Sequence, residues 1–303
     1  MLSVLIPVYR RDVRALAVEL HRQCSELKIP FEVFCLDDGS DEITKVLNRK
    51  ILNLPHIRYE ELEKNVGRSA IRNELVRRAK FEWFWFLDCD ADAAVNNSLA
   101  ANFWRQKDKN TLVSGGRIYQ ENKPADPALF LHWLWGSEKE LIDPQLRMKN
   151  PVTAFLSNNF FLHRSVCEAV PFDESLDGYG YEDTLFAAEI VQRGFIIKHI
   201  KNPVMHIGLE PADQFLKKIE ESLLNLLELK EICRKKGIDF PVKSKLNFAF
   251  NVLNFPLIRP FVSSYFIGKL LKQREILLGK NPDLQVFNSY RLGYLLKEGK
   301  RIK

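Results

Sequence analysis

Asp88 and Asp90 stand two residues apart at the end of an apolar run, Trp83-Phe84-Trp85-Phe86-Leu87. Such a run is expected to form a buried strand. Carboxylates at its end must be solvated, paired or metal-bound, because burying bare charge is costly. In extended backbone, residues i and i+2 point to the same side, so Asp88 and Asp90 can share one cation and its ligand. A D-x-D tripeptide alone arises by chance; at a strand end it is a candidate metal site. Asp92 lies two residues further on and fits either a supporting carboxylate or a helix cap.

Four other segments carry residue types with chemistry. Asp37-Asp38-Gly39-Ser40 suits a turn and helix cap; equally, its carboxylates can accept the ring N–H of uracil or the N–H pair of guanine. In Asn65–Asn73, Gly67 near a helix start permits close backbone approach, and helix N-termini attract phosphate. Arg68 and Arg72 share a helical face, either to meet a diphosphate or as a solvated basic surface continuing into Arg77 and Arg78. Gly178-Tyr179-Gly180-Tyr181 leads into Glu182 and Asp183 at a helix start, where negative charge is favoured. A carboxylate there is either a helix-terminal charge or a general base for an attacking hydroxyl. His206 is a structural histidine or a ligand; imidazole with carboxylates suits manganese or zinc better than magnesium alone.

These residues need strands and helices to position them. Apolar runs at Leu2–Val8, Phe31–Leu36, Trp83–Leu87 and Leu112–Ser114 predict strands, with Ile57–Tyr59 a weaker one. Helical spacing covers Arg11–Lys28, Asp41–Leu52 (capped by Ser40 or Asp41) and Val66–Ala79. Asn159–His163 and Ile196–Ile200 predict further strands around a helix at Asp183–Arg193. Strands this apolar, separated by helices, imply an α/β chain with a parallel sheet covered on both faces. Ligands in such sheets collect at the carboxyl ends of the strands, where both acidic clusters fall. The aromatics Phe130, His132, Trp133 and Trp135 predict core packing or an acceptor surface. From Phe215 onward the pattern is helical.

The chain has 303 residues and a net charge of +6, distributed unevenly. Pro241–Lys303 holds twelve Lys/Arg against three Asp/Glu, a net of +9, which leaves −3 for the rest. A basic tail suits an anionic surface or a solvated face. Apolar residues there (Phe248, Phe250, Leu253, Phe255, Leu257, Phe261) lie among Lys243, Lys245, Arg259 and Lys269, as in an interfacial helix; packing onto the catalytic domain is the alternative. The best spanning candidate, Leu246–Leu271, is interrupted by Pro256, Arg259 and Pro260, and its longest uncharged run, Leu246–Ile258, is too short to span a bilayer. Five cysteines without a CxxC pair fit a reducing compartment. No signal-peptide pattern precedes the first strand. The expectation is a cytoplasmic chain, with peripheral contact at the inner membrane face as its membrane option.

Taken in order, these segments resemble family 2 glycosyltransferases of the GT-A fold. The resemblance rests on Ser3–Tyr9, Asp37–Asp41, Asn65-Val66-Gly67 through Arg72-Asn73, Phe86–Asp90, Phe172-Asp173-Glu174 with Gly178–Asp183, and His206. It covers about residues 1 to 210 and implies there a catalytic domain with a mixed nucleotide-binding sheet flanked by helices; nothing transfers to residues 211–303, which spacing and charge predict to be a helical basic extension. It also implies an inverting transfer from a nucleotide-sugar donor, a UDP-sugar foremost, to a glycan or lipid-linked acceptor, with Mn²⁺ or Mg²⁺ and no nucleic-acid partner. Pro7 and Tyr9 would line the nucleotide pocket, Asp38 with Asp37 would hold the base, and Gly67, Arg68 and Arg72 would lie near base and phosphates. Asp88 would touch ribose or metal, Asp90 and His206 would ligate the metal, and Asp183 would be the base, with Glu182 on donor sugar or acceptor. Many relatives carry a further acid directly after the D-x-D; here that position is Ala91. The competing expectations are a sugar nucleotidyltransferase and a non-catalytic membrane-associated glycan-assembly module. Against the first, Val8-Tyr9-Arg10-Arg11-Asp12 lacks the Gly-rich loop such enzymes carry after the first strand.

Overall fold

The computed structural model describes residues 1–176, 178–255 and 257–299. Pro256, the side chains of Pro260 and Phe261, and the basic residues Lys300, Arg301 and Lys303 lie outside that description. The first half runs β1 (Leu2–Val8), α1 (Arg14–Glu26), β2 (Phe31–Asp37), α2 (Glu42–Asn48), β3 (Ile57–Glu61), α3 (Arg68–Arg78), β4 (Trp83–Leu87), β5 (Ala91–Asp92), α4 (Leu99–Trp104), β6 (Thr111–Ser114), β7 (Arg117–Ile118), α5 (Phe130–Lys139) and α6 (Pro144–Arg147). The second half runs β8 (Asn159–His163), α7 (Arg164–Ala169), α8 (Glu182–Gln192), β9 (Ile196–His199), β10 (Val204–His206), α9 (Ala212–Lys236), α10 (Lys245–Leu253), α11 (Arg259–Gly268), α12 (Leu270–Leu278) and α13 (Leu284–Glu298). Asp41 caps α2 by accepting from the Thr44 amide at 3.0 Å, and the chain then tightens into a 3-10 turn at Arg49–Asn53.

Seven strands form one sheet in the order β3-β2-β1-β4-β8-β6-β9. β3, β2, β1 and β4 run parallel to one another, but β8 runs antiparallel to both β4 and β6. The sheet is thereby mixed, as the family resemblance implies, where the apolar runs alone pointed to a parallel one. β8 is buried along its whole length, and a strand covered on both faces looks equally apolar in either direction. Alternate residues feed two cores: Val4, Ile6, Trp85 and Phe161 on one face, Leu5, Phe34, Phe86 and Phe160 on the other.

A second, three-stranded sheet has the order β5-β10-β7. It sets Ala91 opposite His206 in an antiparallel register, and so brings the D-x-D segment beside a histidine more than a hundred residues away.

The chain forms two compact units, and they are not two consecutive stretches. The first comprises Met1–Tyr119, Leu141–Ser175 and Glu182–Gly208; the second comprises Gln120–Glu140, Leu176–Tyr181 and Leu209–Lys303. The aromatics of α5 serve the second unit's packing: His132 stacks on Phe215 at 4.3 Å and Trp135 meets Phe287 edge-on at 5.1 Å. Its α10, α11 and α12 all pack on α13. Among the described residues no helix is long and apolar enough to cross a membrane.

The first unit's core is organised around a fully buried amide, Asn159. Its Oδ1 accepts from the Trp85 indole at 3.0 Å, and its Nδ2 donates to the Gly116 and Asn202 carbonyls at 3.1 and 2.9 Å. Asn159→Leu leaves those three groups unpaired. Each unsatisfied buried group costs about 1–3 kcal/mol, so denaturant titration is expected to show a loss of about 2–5 kcal/mol. A near-neutral leucine variant contradicts this role.

Candidate active site

The parallel register aligns the ends of β2 and β1, Val8 opposite Asp37, and β4 delivers Asp88 next to them. Asp88 is anchored by its amide to the Asn158 carbonyl at 2.9 Å. Pro7 is half-buried near the end of β1. Tyr9 is exposed, with the Arg10 guanidinium 5.0 Å from its ring centre.

Asp37 and Asp38 first of all build the fold. Asp37 accepts from the Ser40 amide at 2.7 Å and the Tyr59 hydroxyl at 2.9 Å. Asp38 accepts from the Val66 amide at 2.7 Å and the Gly67 amide at 3.2 Å. Burial raises the Asp38 carboxyl above its usual range, against the pull of those two amides. Gly39 follows Asp38 at φ +74°, and a Cβ there would sit 2.7 Å from the Asn65 nitrogen. The motif therefore pins the loop that starts α3, with Gly67 at the helix N-cap.

α3 does not present a uniform basic face. Arg72 is 2% exposed; its Nη2 lies 3.1 Å from Asp88 Oδ1 and its Nη1 3.9 Å from Glu182 Oε1. The guanidinium also sits over the Phe172 ring at 5.4 Å. Arg68, one turn earlier, is partly exposed and reaches the same Glu182 oxygen at 3.5 Å. Arg77 pairs with Glu74 at the surface.

Asp90 and His206 meet through the small sheet. The Ile207 amide donates to the Asp90 carbonyl at 2.9 Å, and His206 Nδ1 stands 3.6 Å from Asp90 Oδ1. That separation exceeds a hydrogen bond. Burial works to raise the Asp90 carboxyl, but His206, Arg117 and Arg68 outweigh it and hold Asp90 well below the usual range. Ala91 is buried in the core beneath, so an acid at that position would meet apolar neighbours.

Asp183 opens α8 beside Glu182, and its Oδ1 accepts from the Thr184 amide at 2.7 Å. Burial and repulsion from Glu182 push its carboxyl up to about 7, although the Thr184 amide, Arg72 and Arg117 oppose the shift. The first unit thus links Arg72 to Asp88 and Glu182, Arg68 to Glu182, and Asp90 to His206. Asp37, Asp38 and Gly67 form a separate internal cluster at the start of α3.

Two contributors had no clear signal in the sequence. Arg117, on β7, influences both Asp90 and Asp183; the preceding Gly115-Gly116 pair was the available hint. Gly208 matters through what it lacks: a Cβ there would lie 2.5 Å from Asp90 Oδ2.

The family Glycosyl transferase family 2 matches residues 3–170. The chain belongs to glycosyltransferase family 2. It is 31% identical to chondroitin synthase of Escherichia coli over 89% of this chain and 43% of that protein. It is 27% identical to hyaluronan synthase of Pasteurella multocida over 60% of this chain and 22% of that protein. The chain therefore spans less than half the length of these curated relatives. Among solved structures, a mannosyltransferase of Pyrobaculum calidifontis in complex with GDP-Man and Mn²⁺ superposes with a TM-score of 0.55 at 14% identity, covering all of this chain and 88% of that one. That likeness establishes the GT-A fold.

The raised Asp183 carboxyl has a stability consequence. Its folded-state value of about 7 exceeds the ordinary 3.8, so ionised Asp183 costs stability at high pH. The cost vanishes below about pH 4, where the group is protonated in both states. Asp183→Asn is expected to raise the thermal midpoint relative to the native protein at pH 8, with the gain shrinking between pH 7 and 4. A pH-independent difference contradicts the raised value.

Proposed function

We propose that this chain transfers a sugar from a nucleotide-sugar donor, a UDP-sugar foremost, to a hydroxyl of a glycan or lipid-linked acceptor, inverting the anomeric carbon in one displacement. The observation carrying this reading is a carboxyl poised near 7, Asp183, in the same unit as the ionised Asp90 beside His206. A general base works best with its pKa near the operating pH. Both curated relatives are named as synthases of a glycan, which supports a glycan acceptor.

In this reading Pro7, Tyr9, Asp37, Asp38 and Gly67 frame the nucleotide. Arg68, partly exposed at the start of α3, meets the diphosphate. Arg72 orients Asp88 toward the ribose, and Glu182 contacts donor sugar or acceptor. Asp183 accepts the proton of the acceptor hydroxyl as its oxygen bonds to the anomeric carbon and the bond to the nucleoside diphosphate breaks.

A divalent cation fits Asp90 and His206. Two ligands each about 2.1 Å from one ion lie no more than about 4.2 Å apart, and the pair is 3.6 Å apart. Among the described residues no group of three or more His, Cys, Asp or Glu side chains is close enough to hold a metal, so the donor's phosphate oxygens would complete the shell. Oxygen with imidazole suits Mn²⁺, with Mg²⁺ as the alternative. When bound, the ion offsets the charge gained by the leaving nucleoside diphosphate.

Asp183→Asn is expected to keep donor affinity and lower turnover by about 10²–10⁴; near-normal turnover removes Asp183 from the role. Exhaustive chelation is expected to abolish activity and Mn²⁺ to restore it. Gly208→Ala, which crowds Asp90, should then require at least about tenfold more Mn²⁺ for half-maximal rate. Activity indifferent to chelation defeats the metal assignment.

A further inference from the structure

The second unit carries an apolar surface that its own packing leaves uncovered. α10 turns Phe250 inward, while Phe248 and Val252, one turn apart on its other side, are 72% and 44% exposed. Phe255 (55%) and Leu257 (78%) follow in the turn beyond the helix. Tyr265 on α11 and Leu271 on α12 are 59% and 79% exposed. Single exposed apolar residues are ordinary, but a dense run of large ones marks an interaction surface.

The charge around this run selects the partner. Lys243, Lys245, Lys269 and Lys272 are all exposed, whereas Pro241–Lys303 contains three acids, of which Glu298 is buried. A second protein face would have to be both greasy and acidic; an anionic bilayer offers acyl chains beneath a negative surface as one continuous structure. No described helix is long and apolar enough to span, so the fit is to an element lying in the interface, with aromatic and aliphatic side chains below the headgroups and lysines at their level.

We propose that the α10–α12 surface docks this chain on an anionic lipid bilayer, inserting Phe248, Val252, Phe255 and Leu257 while Lys243, Lys245, Lys269 and Lys272 meet the headgroups. These residues all belong to the second unit, whereas Asp88, Asp90, Glu182 and Asp183 belong to the first. The docking therefore stands or falls independently of the transferase reading.

Sedimentation of the full chain with phosphatidylcholine vesicles, and with vesicles containing about a third phosphatidylglycerol, tests it. Binding is expected on the anionic vesicles only and is expected to weaken in 0.5 M salt, since the headgroup attraction is screened. Phe248→Ser with Leu257→Ser should lower the partition coefficient at least about tenfold. Lys243→Glu with Lys245→Glu should do the same, and neither pair should move the thermal midpoint appreciably, because the altered side chains are exposed. Absent sedimentation on anionic vesicles, or equal sedimentation of all variants, overturns the proposal. A dimer in light scattering that the Phe248/Leu257 variant dissolves, without vesicle binding, overturns it in favour of a second copy of the chain.

Discussion

The buried Arg72 guanidinium, held between Asp88 and Glu182, is the interaction on which the site depends. Four carboxylates, Asp88, Asp90, Glu182 and Asp183, lie in one unit, and like charges in a partly desolvated space cannot all remain ionised without cations. Arg72 neutralises the first and third. Asp90 is held ionised by His206 with Arg117 and Arg68. Asp183 accepts from a backbone amide and feels Arg72 and Arg117 only at a distance, so burial and Glu182 prevail and its carboxyl stands near 7. One arrangement of cations thus divides four chemically similar acids into two paired with Arg72, one held ionised and one with a raised carboxyl.

That division constrains the backbone. Arg72 reaches Asp88 because Asp38 and Gly39 pin the loop before α3 and because Asp88 is tied to Asn158. Asp90 reaches His206 because β5 and β10 pair, and the glycine at 208 leaves room for the carboxylate. Asn159, next to Asn158, ties the buried Trp85 of β4 to the turn before β7. The site and the core therefore share their supports.

Much of this was legible in the sequence. The strands β1, β2 and β4 follow from apolar runs, and the D-x-D at the end of β4 and the Glu-Asp pair at the start of α8 stand where strand ends and helix starts are expected. The direction of β8 was not legible, since a fully buried strand carries no mark of polarity. Nor was the burial of Arg72: in α3 it sits in line with Arg68, Arg77 and Arg78, and only the three-dimensional positions of Asp88 and Glu182 single it out. The structural part played by Asp37 was not legible either, because the Tyr59 hydroxyl that it accepts from lies a strand away. The grouping of Gln120–Glu140 with the tail depends on contacts such as His132 on Phe215, which no local pattern encodes.

The central claim is that Asp90 and His206 hold a cation together with a nucleoside diphosphate. Calorimetric titration of Mn²⁺ into the protein with saturating UDP, in the native chain and in Asp90→Asn with His206→Gln, tests it most directly. The account predicts that UDP strengthens Mn²⁺ binding to the native chain and that the double variant loses at least about a hundredfold in affinity. Equal Mn²⁺ affinity in the two proteins would contradict it.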